Sequence, residues 1–350
     1  MEEHKDFNPD GIGIPNGNCF GLPWSADDAE IVLIPVPWDV TTSYRPGTSK
    51  GPKAIIDASL QVDLYDANVP HALKVKIATL PIDNEMQEAN NFLRTSAEGI
   101  ISRLIECENV PEDDPVLQAV NESCQIMNVY VETKASEHID KGQIVGIIGG
   151  DHSVPYGAIK AISQKYDSFG ILHIDAHADL REAYEGFKYS HASIFYNVMK
   201  NIPQVVSLCQ VGLRDYCGQE VIVAEEDSRI KQFTDEKISE MLFKGENWHS
   251  VCEKIVSNLP ENVYISFDID GLSPELCHNT GTPVPGGLFF RQADYLLKMI
   301  AFSGKKIIGF DLCEVAPGDD EWDANVGARL LYKMCLYAHA SNDNSNNFCN

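Results

Sequence analysis

The chain is short of basic residues. Its 350 residues carry 27 Lys and Arg against 52 Asp and Glu, a formal charge of −25. A field of that sign repels nucleic acid and anionic membrane surface and draws cations. Nucleic-acid and membrane partners are therefore not expected, and most of the acidic charge reads as solvated surface. Nothing reaches the roughly 18 uninterrupted apolar residues of a membrane helix, and the opening "MEEHKDFNPDG" has neither a basic nor an apolar leader region. The ten cysteines form no CxxC pair, which excludes a cysteine-rich zinc module and points to a reducing, cytoplasmic setting. Neither a P-loop nor a GxGxxG string is present, so phosphate-cradle and dinucleotide chemistry have no sequence support.

What the chain does have is alternation. β-branched runs at 30–37, 75–80, 143–150, 169–175, 205–214, 262–270 and 306–315 read as strands. Capped or amphipathic stretches at 53–60, 87–106, 114–138, 154–165, 190–200, 234–243, 247–258, 290–302 and 322–339 read as helices. This β-then-α order calls for a mainly parallel sheet with helices on both faces. No repeat, linker or charge block divides the sequence, so one α/β domain over 1–350 is expected. A Gly-, Asn- and Pro-rich surface arm over about residues 1–28 and a polar tail over about 341–350 flank it.

Ligands bind beyond the carboxyl ends of parallel strands, and four of these strands end in ligand-type side chains. "GGDHS" supplies Asp151 and His152, "DAHAD" Asp175, His177 and Asp179, "SFDID" Asp268 and Asp270, and "DLCEV" Asp311 and Glu314. If the backbone stays extended, 175, 177 and 179 share a face, as do 268 and 270. One Asp at a strand mouth is an ordinary helix cap, but a cap needs one acceptor rather than three alternating ones. Four clustered carboxylates without counter-charge would be protonated or splayed. Two divalent ions remove that conflict, and mixed imidazole and carboxylate donors suit Mn, Ni, Fe or Zn rather than Ca or Mg. A pair of ions about 3.5–4 Å apart activates a bridging water as nucleophile near neutral pH.

These residues, with "TGTPVPGGL" and "DLCEVAPG", resemble in order and spacing the signatures of the ureohydrolases over roughly residues 30 to 340. That family includes arginase, agmatinase, guanidinobutyrase, formimidoylglutamase and guanidine hydrolase. The resemblance implies a three-layer α/β/α sandwich around a mainly parallel eight-stranded sheet and assembly as trimers or hexamers. It implies two Mn or Ni ions, one held by His152, Asp175, Asp179 and Asp268 and the other by His177, Asp175, Asp268 and Asp270, with Asp175 and Asp268 bridging. His191 would be the proton shuttle and Glu314 the partner of the substrate guanidinium. The chain departs from the family pattern at Ser273, where Asp is usual, and at Ala192, where Gly usually follows the shuttle histidine.

A planar guanidinium is a poor electrophile, so its hydrolysis needs a strong nucleophile, an anchor for the cation and an acid for the leaving nitrogen. The segment "LREAYEGFKYS" between Asp179 and His191 is expected to roof the pocket. Tyr184 and Phe187, with Trp38 or Trp322, would form an aromatic cage for a flat cation, and Thr282 would border the substrate. No equivalent of the arginase loop for an α-amino acid is evident, and "NGNCFGLPW" with "PVPWDVTTSY" looks like the agmatinase-like branch that also contains guanidine hydrolases. The expected substrate is thus a small guanidino cation, agmatine-type or free guanidine, cleaved to urea and an amine or ammonia. An anionic substrate such as formimidoylglutamate would require Arg181 or Arg214 to face the pocket. The rival readings are a single-zinc deacetylase-like amidohydrolase and a non-catalytic regulatory homologue.

Overall fold

The computed structural model describes residues 7–343. Eight strands form one sheet: β1 (Ile31–Pro35), β2 (Ile77–Thr79), β3 (Ile144–Ile148), β4 (Phe169–Ile174), β5 (Val205–Val211), β6 (Ile230–Phe233), β7 (Asn262–Asp268) and β8 (Lys306–Cys313). Their order is β2-β1-β3-β8-β7-β4-β5-β6, and every pairing is parallel. The expected strands are all present. β6 is an addition, because "IKQF" is an edge strand whose Lys and Gln break the apolar run by which a strand is recognised.

Helices cover both faces. On one side lie α1 (Gly51–Ser59), α8 (Trp248–Ser257), α9 (Phe290–Ala301) and α10 (Trp322–Asn342), whose Ile55, Val251, Leu296 and Leu330 share a hydrophobic cluster with Leu172, Ile174 and Ile265 of the sheet. On the other lie α2 (Asn84–Ile105), α3 (Pro115–Ile139), α4 (Tyr156–Lys165) and α5 (Ile194–Asn201), which join Ile100, Val120, Ile159 and Phe195 to Phe169, Ile171 and Tyr264. Along β4 the two clusters take alternate residues, as the period of a pleated strand requires. α6 (Gly218–Glu226) and α7 (Asp235–Phe243) flank the β6 edge. α6 was not expected from the sequence: of its side chains only Glu220 is fully buried, so it shows no apolar stripe. Caps fix other helix starts, with Asp83, Asp114, Thr234 and Asn247 each accepting from a first-turn N–H.

The surface arm needs correction. Residues 19–22 are buried, the Phe20 ring packs at a tilt with its centroid 4.9 Å from that of Tyr332 of α10, and its N–H donates to Ser59 Oγ at 2.7 Å. Burial of that apolar area explains why a Gly- and Asn-rich segment is pinned here. Of the tail, Ser341 and Asn342 continue α10, and positions 344–350 lie outside the described residues. Among the described residues no helix is long and apolar enough to cross a membrane, and their nine cysteines are unpaired.

Candidate metal centre

The sheet order makes β3, β8, β7 and β4 consecutive neighbours. Their carboxyl ends are where His152, Asp311 and Glu314, Asp268 and Asp270, and Asp175, His177 and Asp179 reside. The convergence does not come from continued strands, as the sequence pattern implied. β4 stops at Ile174, and Asp175 Oδ1 then accepts the N–H of His177 at 2.6 Å; β7 stops at Asp268, whose Oδ1 accepts the N–H of Asp270 at 2.8 Å. These are turns in which the Asp side chain substitutes for the lost strand partner. Asp179 and Glu314 have left-handed backbones, φ 54° and 64°, a cost that a packed surrounding must sustain and that concentrates at functional sites.

His152 Nδ1 lies 3.0 Å from Asp175 Oδ2, 3.3 Å from Asp268 Oδ2 and 3.4 Å from Asp179 Oδ2. His177 Nδ1 lies 3.1 Å from Asp270 Oδ2 and 3.4 Å from Asp175 Oδ1. Asp175 therefore touches both histidines, one through each oxygen. Three groups of possible metal donors emerge among the described residues: His152, His173, Asp175 and Asp179; Asp175, His177 and Asp270, which shares Asp175 with the first; and His152, Asp311 and Cys313. Asp268 meets the first histidine. In the first group His173 is the member that sequence reading passed over, because it stands inside the strand rather than at its mouth.

The electrostatics describe a cluster in need of positive charge. Burial opposes ionisation of Asp175, but the adjoining His173, His152 and His177 outweigh it and hold its carboxyl well below the ordinary range. Burial, then the charge of Asp175, raises Asp179 to about 7. Burial, then Asp270 and Asp175, pushes Asp268 well above the carboxylate range. Burial disfavours charge on His152 and His177, yet the carboxylates around them raise both well above the usual imidazole value. Among the described residues no Lys or Arg forms an ion pair with Asp175, Asp179, Asp268 or Asp270. Protons alone balance this donor set, and divalent cations fit it: the two histidines offer imidazole nitrogens and the four carboxylates supply −4 against +4.

Glu314 is buried. Its Oε1 accepts the N–H of His152 at 3.0 Å, while Oε2 has no partner. A Cβ at Gly281 would come within 3.2 Å of that Oε2, so Gly281 is a further residue the sequence did not single out; its bare backbone leaves the carboxylate room. His191 begins a 3-10 turn before α5, where Ser190 caps the turn, and its Nε2 is 3.3 Å from Ser43 Oγ. Burial, then His177, lowers the His191 pKa to about 3.

A cleft of about 170 Å³ opens here, lined by His177, Asp179, Tyr184, His191 and Thr282 and bordered by Ala192. Tyr184 and Thr282 are thus brought together with His191 in one lining, and Glu314 does not line the cleft. The aromatic cage is not formed. Phe187 is fully buried in the helix-covered core, because residues 184 and 187 bridge a tight turn whose centre, Glu185 and Gly186, takes φ 54° and 82°. Trp38 is buried in the same core, and Trp322 is half-exposed at the start of α10. The face of Tyr184 is already occupied, since the Arg181 guanidinium sits 4.5 Å from its ring centroid. Arg181 lines the cleft, 3.7 Å from Glu220, whereas Arg214 spends its donors on the carbonyls of Gly212, Asp270, Leu272 and Val284. The string "GTSKG" at 47–51 has the spacing of a serine nucleophile elbow, but Ser49 lies in a 3-10 turn with its N–H bound to Asp39.

An N(1)-aminopropylagmatine ureohydrolase of Thermus thermophilus is 30% identical over 309 residues, covering 87% of this chain and 89% of that protein. The agmatinase of Bacillus anthracis is 29% identical over 315 residues, covering 89% of this chain and 93% of the relative. The solved structure of agmatine ureohydrolase from Thermoplasma volcanium superposes with a TM-score of 0.70 at 21% identity, over 93% of this chain and 96% of the other, and so shares its fold. Residues 29–337 match the Arginase family as a whole, and the chain belongs to that family.

Proposed function

We propose that the protein is a metal-dependent ureohydrolase that cleaves the guanidinium C–N bond of a small guanidino compound, releasing urea with an amine or ammonia. Family membership and the names of the relatives, aminopropylagmatine ureohydrolase and agmatinase, support the reaction class. The observation that carries the reading is the set of four buried carboxylates and two histidines with no Lys or Arg ion pair to them among the described residues. His152, Asp175, Asp179 and Asp268 would hold one ion, and His177, Asp175, Asp268 and Asp270 the other, as Mn or Ni. When bound, such a pair neutralises the carboxylates and supplies an activated water.

The chain's own residues do the rest. Although it does not line the cleft, Glu314 leaves Oε2 unpartnered beside Gly281, and that oxygen is the anchor for the guanidinium. His191 starts neutral, so it accepts a proton before delivering one to the leaving nitrogen. Thr282 and Tyr184 wall the cleft. A second reading, a guanidino acid in place of a guanidino amine, is favoured by Arg181, whose guanidinium lines the cleft and offers a partner for a distal carboxylate. Self-assembly as a trimer or hexamer belongs to the same proposal and is checked by light scattering.

The test is a urea-release assay on protein loaded separately with Mn and with Ni. Guanidine, agmatine, 4-guanidinobutyrate, arginine and formimidoylglutamate form the panel. Urea from at least one of them, lost in Asp268→Asn and His177→Ala, is the expected result. One tightly held Zn per chain, with acetyl-lysine turnover and no urea, would overturn it.

A further inference from the structure

The strand register aligns five polar side chains across one face of the sheet. Asp311 of β8 is opposite Ser266 of β7, Ser266 opposite His173 of β4, His173 opposite Gln210 of β5, and Gln210 opposite Gln232 of β6. The first four are fully buried. The next rung on the same face is filled by Ile171, Leu208 and Tyr264, so a polar row here is costly unless each group is bonded.

The bonds have one direction. Gln232 Nε2 donates to Gln210 Oε1 at 2.9 Å, and Gln210 Nε2 donates to the Ala178 carbonyl at 2.7 Å and to His173 Nδ1 at 2.9 Å. A backbone carbonyl can only accept, so Ala178 fixes which end of the Gln210 amide faces inward. His173 Nδ1 must then be the bare nitrogen and Nε2 must carry the proton. That N–H donates to Asp175 Oδ2 at 2.8 Å. On the far side of the rung, Ser266 Oγ is 2.9 Å from His152 Nε2, which leaves Nδ1 of His152 turned toward the carboxylates.

We propose that this rung is a positioning device for the metal centre: Gln232 and Gln210 hold His173 in the Nε2–H tautomer, and His173 in turn fixes the carboxylate of Asp175. His173 falls within the donor group of His152, Asp175 and Asp179, yet its inward nitrogen carries a proton and is not a ligand. The row thus begins at the β6 edge, at the part-buried Gln232, and ends on the one carboxylate that touches both His152 and His177. The inference rests on reading the cluster as a metal centre.

Calorimetric titration of the metal-free, full-length protein with Mn tests it, comparing wild type with His173→Leu, His173→Gln and Gln210→Met. His173→Leu should weaken binding by about 10–100-fold with the stoichiometry unchanged, and His173→Gln, which keeps an N–H near the Nε2 position, should recover most of the loss. Gln210→Met, remote from the ions, should weaken binding by a smaller factor. Histidine-labelled wild type should show His173 as the Nε2–H tautomer by nitrogen NMR, before and after metal is added. That measurement stands even where His173→Leu fails to fold. Unchanged affinity in the folded His173→Leu protein, loss of one bound ion in His173→Gln, or an Nδ1–H tautomer would overturn the rung. A wild-type protein that binds neither Mn nor Ni would instead overturn the metal centre itself.

Discussion

At the amino ends of β1, β3 and β8 lies a hollow of about 460 Å³, lined by Glu30, Lys141, Lys165 and His339 among others. At the carboxyl ends the cleft is about 170 Å³. In the larger of these two hollows the four groups named have local partners: Glu30 with His339 at 2.7 Å, Lys141 with Asp27 at 2.8 Å, and Lys165 with the carbonyl of Ile139 at 2.6 Å. At the smaller one, four carboxylates are gathered away from water with imidazoles and backbone N–H groups as partners and, among the described residues, no Lys or Arg ion pair. Buried charge left without a protein counter-charge marks chemistry more surely than cavity size does, because the fold must hold that cost against stability for some other return.

The sharpest way to break this comparison is to remove one charged group from each end. Asp268→Asn should abolish urea release from the metal-loaded protein, and chelation of the wild type should do the same. The same substitution should raise the melting stability of metal-free protein at neutral pH by about 0.5–2 kcal/mol, since it removes a carboxyl that must take up a proton to stay buried beside Asp270 and Asp175. A fall in metal-free stability would contradict the account of an uncompensated cluster. His191→Ala should lower kcat by about 10²–10⁴-fold with a smaller change in KM, as expected for loss of a proton carrier, and steady-state kinetics decides.

Smaller effects separate the roof from the site. Burial raises the Glu185 pKa to about 6, with Arg94 opposing, so its folded value exceeds its unfolded one. Stability on this account is fully present below the unfolded pKa and is lost as pH rises through about 6. Glu185→Gln should therefore raise the melting temperature at pH 8 by less than about 2 °C and leave it unchanged at pH 4. At the amino end, Lys141→Met should alter stability by no more than about 0.5 kcal/mol and leave urea release intact, because its pair with Asp27 is exposed. A large loss of activity there would make the larger hollow functional after all.

The sequence was most legible where a local pattern carries a local cause. Seven of the eight strands stood out as β-branched runs, and β6 was hidden because an edge strand carries Lys and Gln. The ligand-type residues were visible as strings, but Phe187 was misjudged because its neighbours in sequence, Tyr184 and Arg181, do face the cleft, whereas a left-handed two-residue turn accompanies its burial in the core. His173, Gln210 and Gln232 gave no sign at all. Each is a polar residue inside a strand, and only register reveals that they are bonded neighbours.

By itself, then, the sequence determined the α/β alternation, the acidic field and the residue types that can hold cations, since each follows from composition and short-range spacing. The tertiary structure alone decided that β3, β8, β7 and β4 lie side by side and that side-chain-capped turns gather their ends. It also decided that a buried row of amides sets one imidazole's proton. Strand order and register are made by long-range packing between segments far apart in the chain, and no window of sequence contains both partners.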